Sequence, residues 1–215
     1  MKVLAINGSP RVNGNTAAAI EVVKEELVLH GVELERFDLG LNIVRSCAAC
    51  NHCARIKKGL CLYNDDLVNE GIKKIAESDG LILASPVHYS GISGTMKSFL
   101  DRVFYASSRA PVNPLRHKTA SAFVCVRRAG GLPAFQSLMN YLTYAEMVIA
   151  TGSYWPVIYG AAPGEVLQDT EGMAVLKEIA RNMAWIMKNL KDGKEAPPQK
   201  VPKQAMNFIR NENSR

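Results

Sequence analysis

No apolar stretch in this chain of 215 residues approaches the roughly 20 residues that cross a bilayer. No basic n-region or long apolar h-region stands near Met1; the chain enters a strand-like run, Lys2-Val3-Leu4-Ala5-Ile6, at once. These absences predict a soluble, cytoplasmic protein with no membrane partner. Internal repeats and low-complexity tracts are also missing. The net charge is +6, and the segment Lys191 to Arg215 carries half of the excess, with six Lys/Arg against three Asp/Glu. No aromatic-interleaved basic stripe or helix-turn-helix pattern accompanies that charge, so nucleic acid is not an expected partner. The excess reads as a solvated tail and a general attraction for anionic cofactors. Five cysteines without an export signal argue against a disulfide framework and favour metal binding or redox chemistry.

What is present is an alternation of strands and helices. Strands are predicted at Lys2 to Ile6, Val32 to Phe37, Gly80 to Ala84, Ala120 to Val126, and between Met147 and Ile158. The third, Gly80-Leu81-Ile82-Leu83-Ala84, is a continuous apolar run, as in a strand buried on both faces. Helices are predicted from Thr16 to Gly31, from Gly94 to Tyr105, from Pro133 to Glu146, and from Glu171 to Leu190, with a second helix after the Cys-rich segment. Five strands in this order match an α/β doubly wound three-layer sandwich, whose ligands sit outside the carboxyl ends of the strands. Two stretches interrupt the repeat. Residues 41–63 are a long insertion after strand two, and the chain beyond Lys191 is rich in Pro and Lys, an arm or a disordered tail.

Asn7-Gly8-Ser9-Pro10-Arg11-Val12-Asn13-Gly14-Asn15-Thr16 lies between the first strand and the first helix. A loop there offers backbone N–H groups and a helix N-terminus to an anion. Ser9, Asn15 and Thr16 add neutral donors and Arg11 a charge. No Gly-Lys-Ser/Thr closes it, so it is not a Walker loop, and Pro10 replaces the second glycine of a dinucleotide fingerprint. It reads either as a pocket for one terminal phosphate or as a polar turn in which Asn15 or Thr16 caps the helix.

Asn7-Gly8-Ser9-Pro10-Arg11 followed by Asn15-Thr16 resembles the phosphate loop of the NAD(P)H-dependent FMN reductase superfamily. Ser85-Pro86-Val87-His88-Tyr89-Ser90-Gly91 is similar to the loop that this family sets against the flavin ring, with His88 where Tyr is usual. Gly94-Thr95-Met96-Lys97-Ser98-Phe99-Leu100-Asp101-Arg102 resembles the helix that follows. The resemblance runs from Lys2 to Leu190. It implies a flavodoxin-like α/β/α sandwich over residues 1–192, with a five-stranded parallel sheet of order 2-1-3-4-5, the insertion at 41–63, and a basic tail at 193–215. It further implies FMN, held at the phosphate by Ser9, Arg11, Asn15 and Thr16. The ring would rest against Pro86, Val87, His88, Tyr89 and Gly91, and against Arg127, Arg128, Gly130 and Gly131 after the fourth strand. Gly91 and Gly94 allow close backbone approach. Positive charge or oriented N–H groups near the ring would stabilise the reduced anionic flavin. Relatives are homodimers or homotetramers.

Cys47, Cys50, Cys53 and Cys61 read C-x2-C-x2-C-x7-C. Such spacing suits an iron–sulfur cluster, a zinc site, or reactive thiols beside Arg55, Lys57 and Lys58. Within the superfamily the insertion, with Asp65-Asp66 behind it, resembles that of the iron–sulfur flavoproteins, which implies a 4Fe–4S cluster. Cys125 reads as core filler, and His30, His52 and His117 as ordinary loop or surface histidines. The expected activity is hydride transfer from NAD(P)H to FMN and on to a small-molecule or protein acceptor. No catalytic acid or base is required, because the cofactor carries the chemistry. The alternatives are an FMN/4Fe–4S carrier exchanging electrons with ferredoxin, and a nicotinamide-binding module in which Asp38 meets a ribose.

Overall fold

The computed structural model describes residues 1–193 and 195–201. Its order is β1 (Lys2–Asn7), α1 (Asn15–Leu29), β2 (Glu33–Asp38), α2 (His52–Ile56), α3 (Val68–Glu77), β3 (Gly80–His88), β4 (Gly91–Ile92), α4 (Gly94–Ser107), β5 (Thr119–Val126), α5 (Gly131–Tyr144), β6 (Val148–Ile149), β7 (Val157–Tyr159), a 3-10 turn (Glu165–Gln168) and α6 (Thr170–Asp192). The parallel strands lie in the order β2-β1-β3-β5-β6.

The sheet is covered on both sides because its strands alternate apolar residues to each face. Leu4 and Ile6 of β1, Leu81 and Leu83 of β3, and Ala122 and Val124 of β5 join the core on the side of α3, α4 and α5. Val3 and Ala5, Ile82 and Ala84, and Phe123 and Cys125 point the other way, into the core beneath α1 and α6. α6 contributes Val175, Leu176, Ile179, Ala180, Met183 and Met187, a stripe on a helical period. Gly31, at φ +72°, ends α1, with Val32 N donating to Leu27 O at 3.0 Å and Gly31 N to Val28 O at 2.9 Å.

The sheet corrects the sequence reading in two places. Seven strands form instead of five. The predicted fifth strand is broken: β6 and β7 each pair in parallel with β5, at opposite ends of it. The break follows from Pro156 and a local turn in which Val157 N donates to Trp155 O at 2.8 Å, taking that donor out of the ladder. β3 also runs past Ala84 to His88, because Ser85 and Pro86 continue the register opposite Val124 and Cys125. It then turns back through β4 as a short hairpin. The helix expected after the insertion is α3; a further one-turn helix, α2, forms within it. Of the tail, Pro198 accepts a hydrogen bond from Arg116 Nη1 at 2.9 Å. Residues 202–215, part of the predicted arm, lie outside the described residues.

Candidate functional site

At the carboxyl end of β1 the chain is fixed by hydrogen bonds that begin with a buried asparagine. Asn7 Nδ2 donates to Asp38 Oδ1 at 2.7 Å, and Asn7 Oδ1 accepts from Ser9 N at 3.1 Å. Ser9 Oγ accepts from Arg11 N at 3.1 Å, and Gly14 N donates to Arg11 O at 3.1 Å. From below, Ser93 Oγ donates to Gly8 O at 2.6 Å while accepting from Met96 N at 3.2 Å as the N-cap of α4. Gly8 is required here: a Cβ would lie 2.9 Å from the Met96 Cβ. Asp38 is committed to Asn7 and to Arg36 (Nε to Oδ2, 3.1 Å), so its place is structural.

The loop keeps an open helix N-terminus. The N-cap of α1 is Gly14 and makes no side-chain cap bond, which corrects the alternative of an Asn15 or Thr16 cap. The first-turn N–H groups of α1 therefore have no side-chain acceptor, and they carry the positive end of the helix dipole. Asn15 Oδ1 is buried with no hydrogen-bond partner among the described residues. Ser9 and Thr16 are buried, with Cys125 beside the Thr16 hydroxyl, and Arg11 is exposed. Burial pushes the Cys125 thiol up to about 12, so it is an inert core group. This donor set fits a phosphate: dipole, first-turn N–H groups and one exposed guanidinium.

The second wall is the β3–β4 hairpin. Val87 pairs with Ile92 and His88 with Gly91, leaving Tyr89 and Ser90 as the turn. Both are left-handed, at φ 47° and 63°, as a type I′ turn demands; Asn and Gly normally serve there. Tyr89 stands fully in solvent at 107% exposure. Pro86 and Val87 are half-buried and His88 is exposed.

The third wall is the start of α5. Its N-cap, Gly130, is left-handed at φ +84°, makes no side-chain cap bond, and abuts Ser90. At Gly131 a Cβ would come within 2.2 Å of Val157 Cγ1. Arg127 and Arg128 are exposed, and neither is in an ion pair among the described residues. Beside them an open groove of about 400 Å³ is lined by Arg128, Gly130, Tyr154, Trp155 and Tyr159. The structure thus brings together the predicted residues of the second and third walls. Sequence reasoning gave no role to Asn7, to Ser93, or to Ser85, whose Oγ accepts from Ser93 N at 3.1 Å. Ser93 was signalled by its place before Gly94-Thr95-Met96, an N-cap position.

Cys47, Cys50, Cys53 and Cys61 all line one narrow pocket, together with Arg102, Tyr105 and Tyr63. Cys47 and Cys50 are exposed, Cys53 is buried and Cys61 half-buried, and all are free thiols. Burial pushes the Cys53 thiol up, and the neighbouring Cys61 and Cys47 push the same way. Left-handed Ala49, Asn51 and Lys57 fold the loop around the pocket. Among the described residues no three ligating groups stand close enough to hold a metal ion. The four thiols on one pocket are nevertheless soft donors of the kind that iron takes.

Residues 1–161 match the model of the NADPH-dependent FMN reductase family. The chain is 31% identical over 201 residues to an iron–sulfur flavoprotein of Methanocaldococcus jannaschii, covering 89% of this chain and 100% of that one. A solved structure of RosB with a bound 8-demethyl-8-formylriboflavin-5′-phosphate superposes with a TM-score of 0.68 at 14% identity, over 100% of this chain and 97% of that one. An archaeal flavodoxin superposes with a TM-score of 0.56 at 13% identity, over 87% and 99%. The fold is flavodoxin-like, and the chain belongs to the NADPH-dependent FMN reductase family, as an oxidoreductase with iron–sulfur flavoproteins among its relatives. No helix among the described residues is long and apolar enough to cross a membrane.

Proposed function

We propose that this chain binds FMN across its three loops, accepts hydride from NAD(P)H, and delivers the electrons to a small-molecule or protein acceptor in the cytoplasm. The observation that carries this reading is the convergence of an uncapped α1 N-terminus, the strained Tyr89–Ser90 turn and the uncapped α5 N-terminus at the carboxyl ends of β1, β3 and β5. Arg11 and the α1 N–H groups hold the phosphate, with Ser9 and Thr16 shaping the floor. Asn15 Oδ1, buried and without a hydrogen-bond partner among the described residues, accepts from a ribityl hydroxyl. Pro86, Val87, His88, Tyr89 and Gly91 flank the ring on one edge. Gly130 and Gly131 present N–H groups to its pyrimidine edge, where Arg127 and Arg128 supply charge. FMN held by these residues would supply the hydride-accepting centre and the electrons for the acceptor. The groove of Tyr154, Trp155 and Arg128 offers aromatic rings and a cation to the nicotinamide donor.

Cys47, Cys50, Cys53 and Cys61 hold a 4Fe–4S cluster in this reading, supported by the shared pocket and by relatives that are iron–sulfur flavoproteins. A homodimer or homotetramer completes the exposed face around Tyr89. Residues 1–192 form the FMN-binding domain and 193–215 its basic tail. The test is anaerobic mixing of purified protein with NADPH or NADH. Rapid bleaching of flavin absorbance without ferredoxin is expected; a flavin reduced only through ferredoxin would replace the reductase with a one-electron carrier.

A further inference from the structure

Arg102 is the largest fully buried side chain of the molecule's described part, at 2% exposure. It stands on α4, yet each of its acceptors belongs to the segment 45–66. Its Nη1 pairs with Asp66, whose carboxylate is also buried, and donates to Arg45 O at 3.2 Å. Nη2 donates to Tyr63 O at 3.2 Å, and Nε donates to Cys61 Sγ at 3.3 Å. The Tyr63 ring lies 5.6 Å from its guanidinium carbon, and the same ring stacks under Arg45 at 4.4 Å. A buried guanidinium is costly unless every direction of its fork is matched. Here one carboxylate, two carbonyls and a sulfur accept four of its five N–H groups, and all are presented by the Cys-rich insertion and the residues just after it.

We propose that Arg102 is the positioning residue of the cysteine pocket: it clamps the insertion onto α4 and donates an N–H to the Cys61 sulfur that sets the reduction potential of the iron–sulfur group held there. This rests on the reading that the four cysteines hold a cluster. Hydrogen bonds to ligand sulfurs stabilise the more negative, reduced state and raise the potential. Lysine retains the charge opposite Asp66 but cannot hold a fixed N–H at the sulfur, because its ammonium lacks the planar fork.

The experiment compares unsubstituted protein with Arg102→Lys, both purified anaerobically. Iron and FMN content are read first, and unsubstituted protein without iron would overturn both the cluster reading and this proposal. With iron bound in both, the cluster of Arg102→Lys is expected to favour its oxidised form about tenfold more, a fall of about 59 mV for a one-electron couple, with FMN content unchanged. An unchanged potential would overturn the proposal and leave the cluster reading standing. In iron-free preparations, tryptic cleavage at Arg55, Lys57 and Lys58 is expected to be at least about tenfold faster in the variant, as for a loop released into local opening; equal rates would overturn the clamp. Should Arg102→Lys not fold, unsubstituted protein grown on 15N-arginine decides: pulsed EPR of the reduced cluster is expected to show coupling to one guanidinium nitrogen, and its absence would overturn the proposal.

Discussion

A Cβ at Gly130 would lie 2.6 Å from the Cα of Ser90. Two loops far apart in sequence are therefore in backbone contact, and the contact sets the distance between the hairpin and the α5 N-terminus. Gly130→Ala must displace Ser90 or unwind a left-handed residue, a cost of about 1–2 kcal/mol for the backbone alone. FMN and riboflavin affinity are both expected to fall at least about tenfold, since the ring site moves while the phosphate site stays. Isothermal titration of the two ligands into apoprotein checks this; unchanged affinities would separate Gly130 from the ring.

Arg11 is the one charged side chain of the phosphate loop and is exposed, so its replacement leaves the core intact. Arg11→Glu is expected to weaken FMN by about 1.4 kcal/mol or more, a factor of ten. Riboflavin, which lacks the phosphate, is expected to bind as before. Equal losses for both would put the phosphate elsewhere. Thr16 is less suitable, because it is buried against Cys125 and a charge there would test folding.

Arg127 and Arg128 give a separable electrostatic prediction. Replacing both by Gln is expected to lower the two-electron flavin midpoint by about 30 mV, equivalent to about 1.4 kcal/mol. Potentiometric titration measures it, and an unaltered midpoint would return both residues to surface charge.

Ser93 links helix capping to the site. Ser93→Ala removes the cap of α4 and leaves the Gly8 carbonyl without its 2.6 Å donor. Loss of about 1–3 kcal/mol in stability is expected from the cap and the unsatisfied carbonyl together. Denaturant midpoints of apoprotein, with FMN affinity measured beside them, show whether the loop loosens with the helix.

On the other face, Arg181 beside Glu26, at 2.7 Å, holds that carboxyl below its ordinary value of 4.5 against the opposing effect of burial, with His30 adding to the shift. A carboxyl depressed in the folded state stabilises it above the unfolded value, and that contribution is lost as pH falls through the folded value. Glu26→Gln is therefore expected to lower stability at neutral pH and to flatten its acid dependence below about pH 4.5. Urea unfolding at both ends of that window reads it; parallel curves would show that Glu26 contributes nothing to the slope.

Much of this was legible in the sequence, for physical reasons. Short apolar runs such as Leu81-Ile82-Leu83 suit strands buried on both faces, so the three layers followed from the alternation of elements, while the strand order came from the family resemblance. Gly8 and Gly130 stood out as glycines, although their partners, Met96 and Ser90, are set by tertiary approach and left no local trace. The I′ turn was hidden because Tyr89 and Ser90 are poor residues for it; strain at such a position is held in place by surrounding structure, not by propensity. The divided last strand was marked by Pro156 alone, and the turn at Trp155 that completes the break left no local trace. Arg102 was visible as a motif residue, but its four acceptors between Arg45 and Asp66 became visible only in three dimensions.

The most direct measurement is the chromophore content of anaerobically purified protein. Stoichiometric FMN, released intact on denaturation and rebound tightly by apoprotein, is the expected result. Apoprotein that binds FMN no better than riboflavin would contradict a phosphate cradle at the α1 N-terminus, and with it the proposed site.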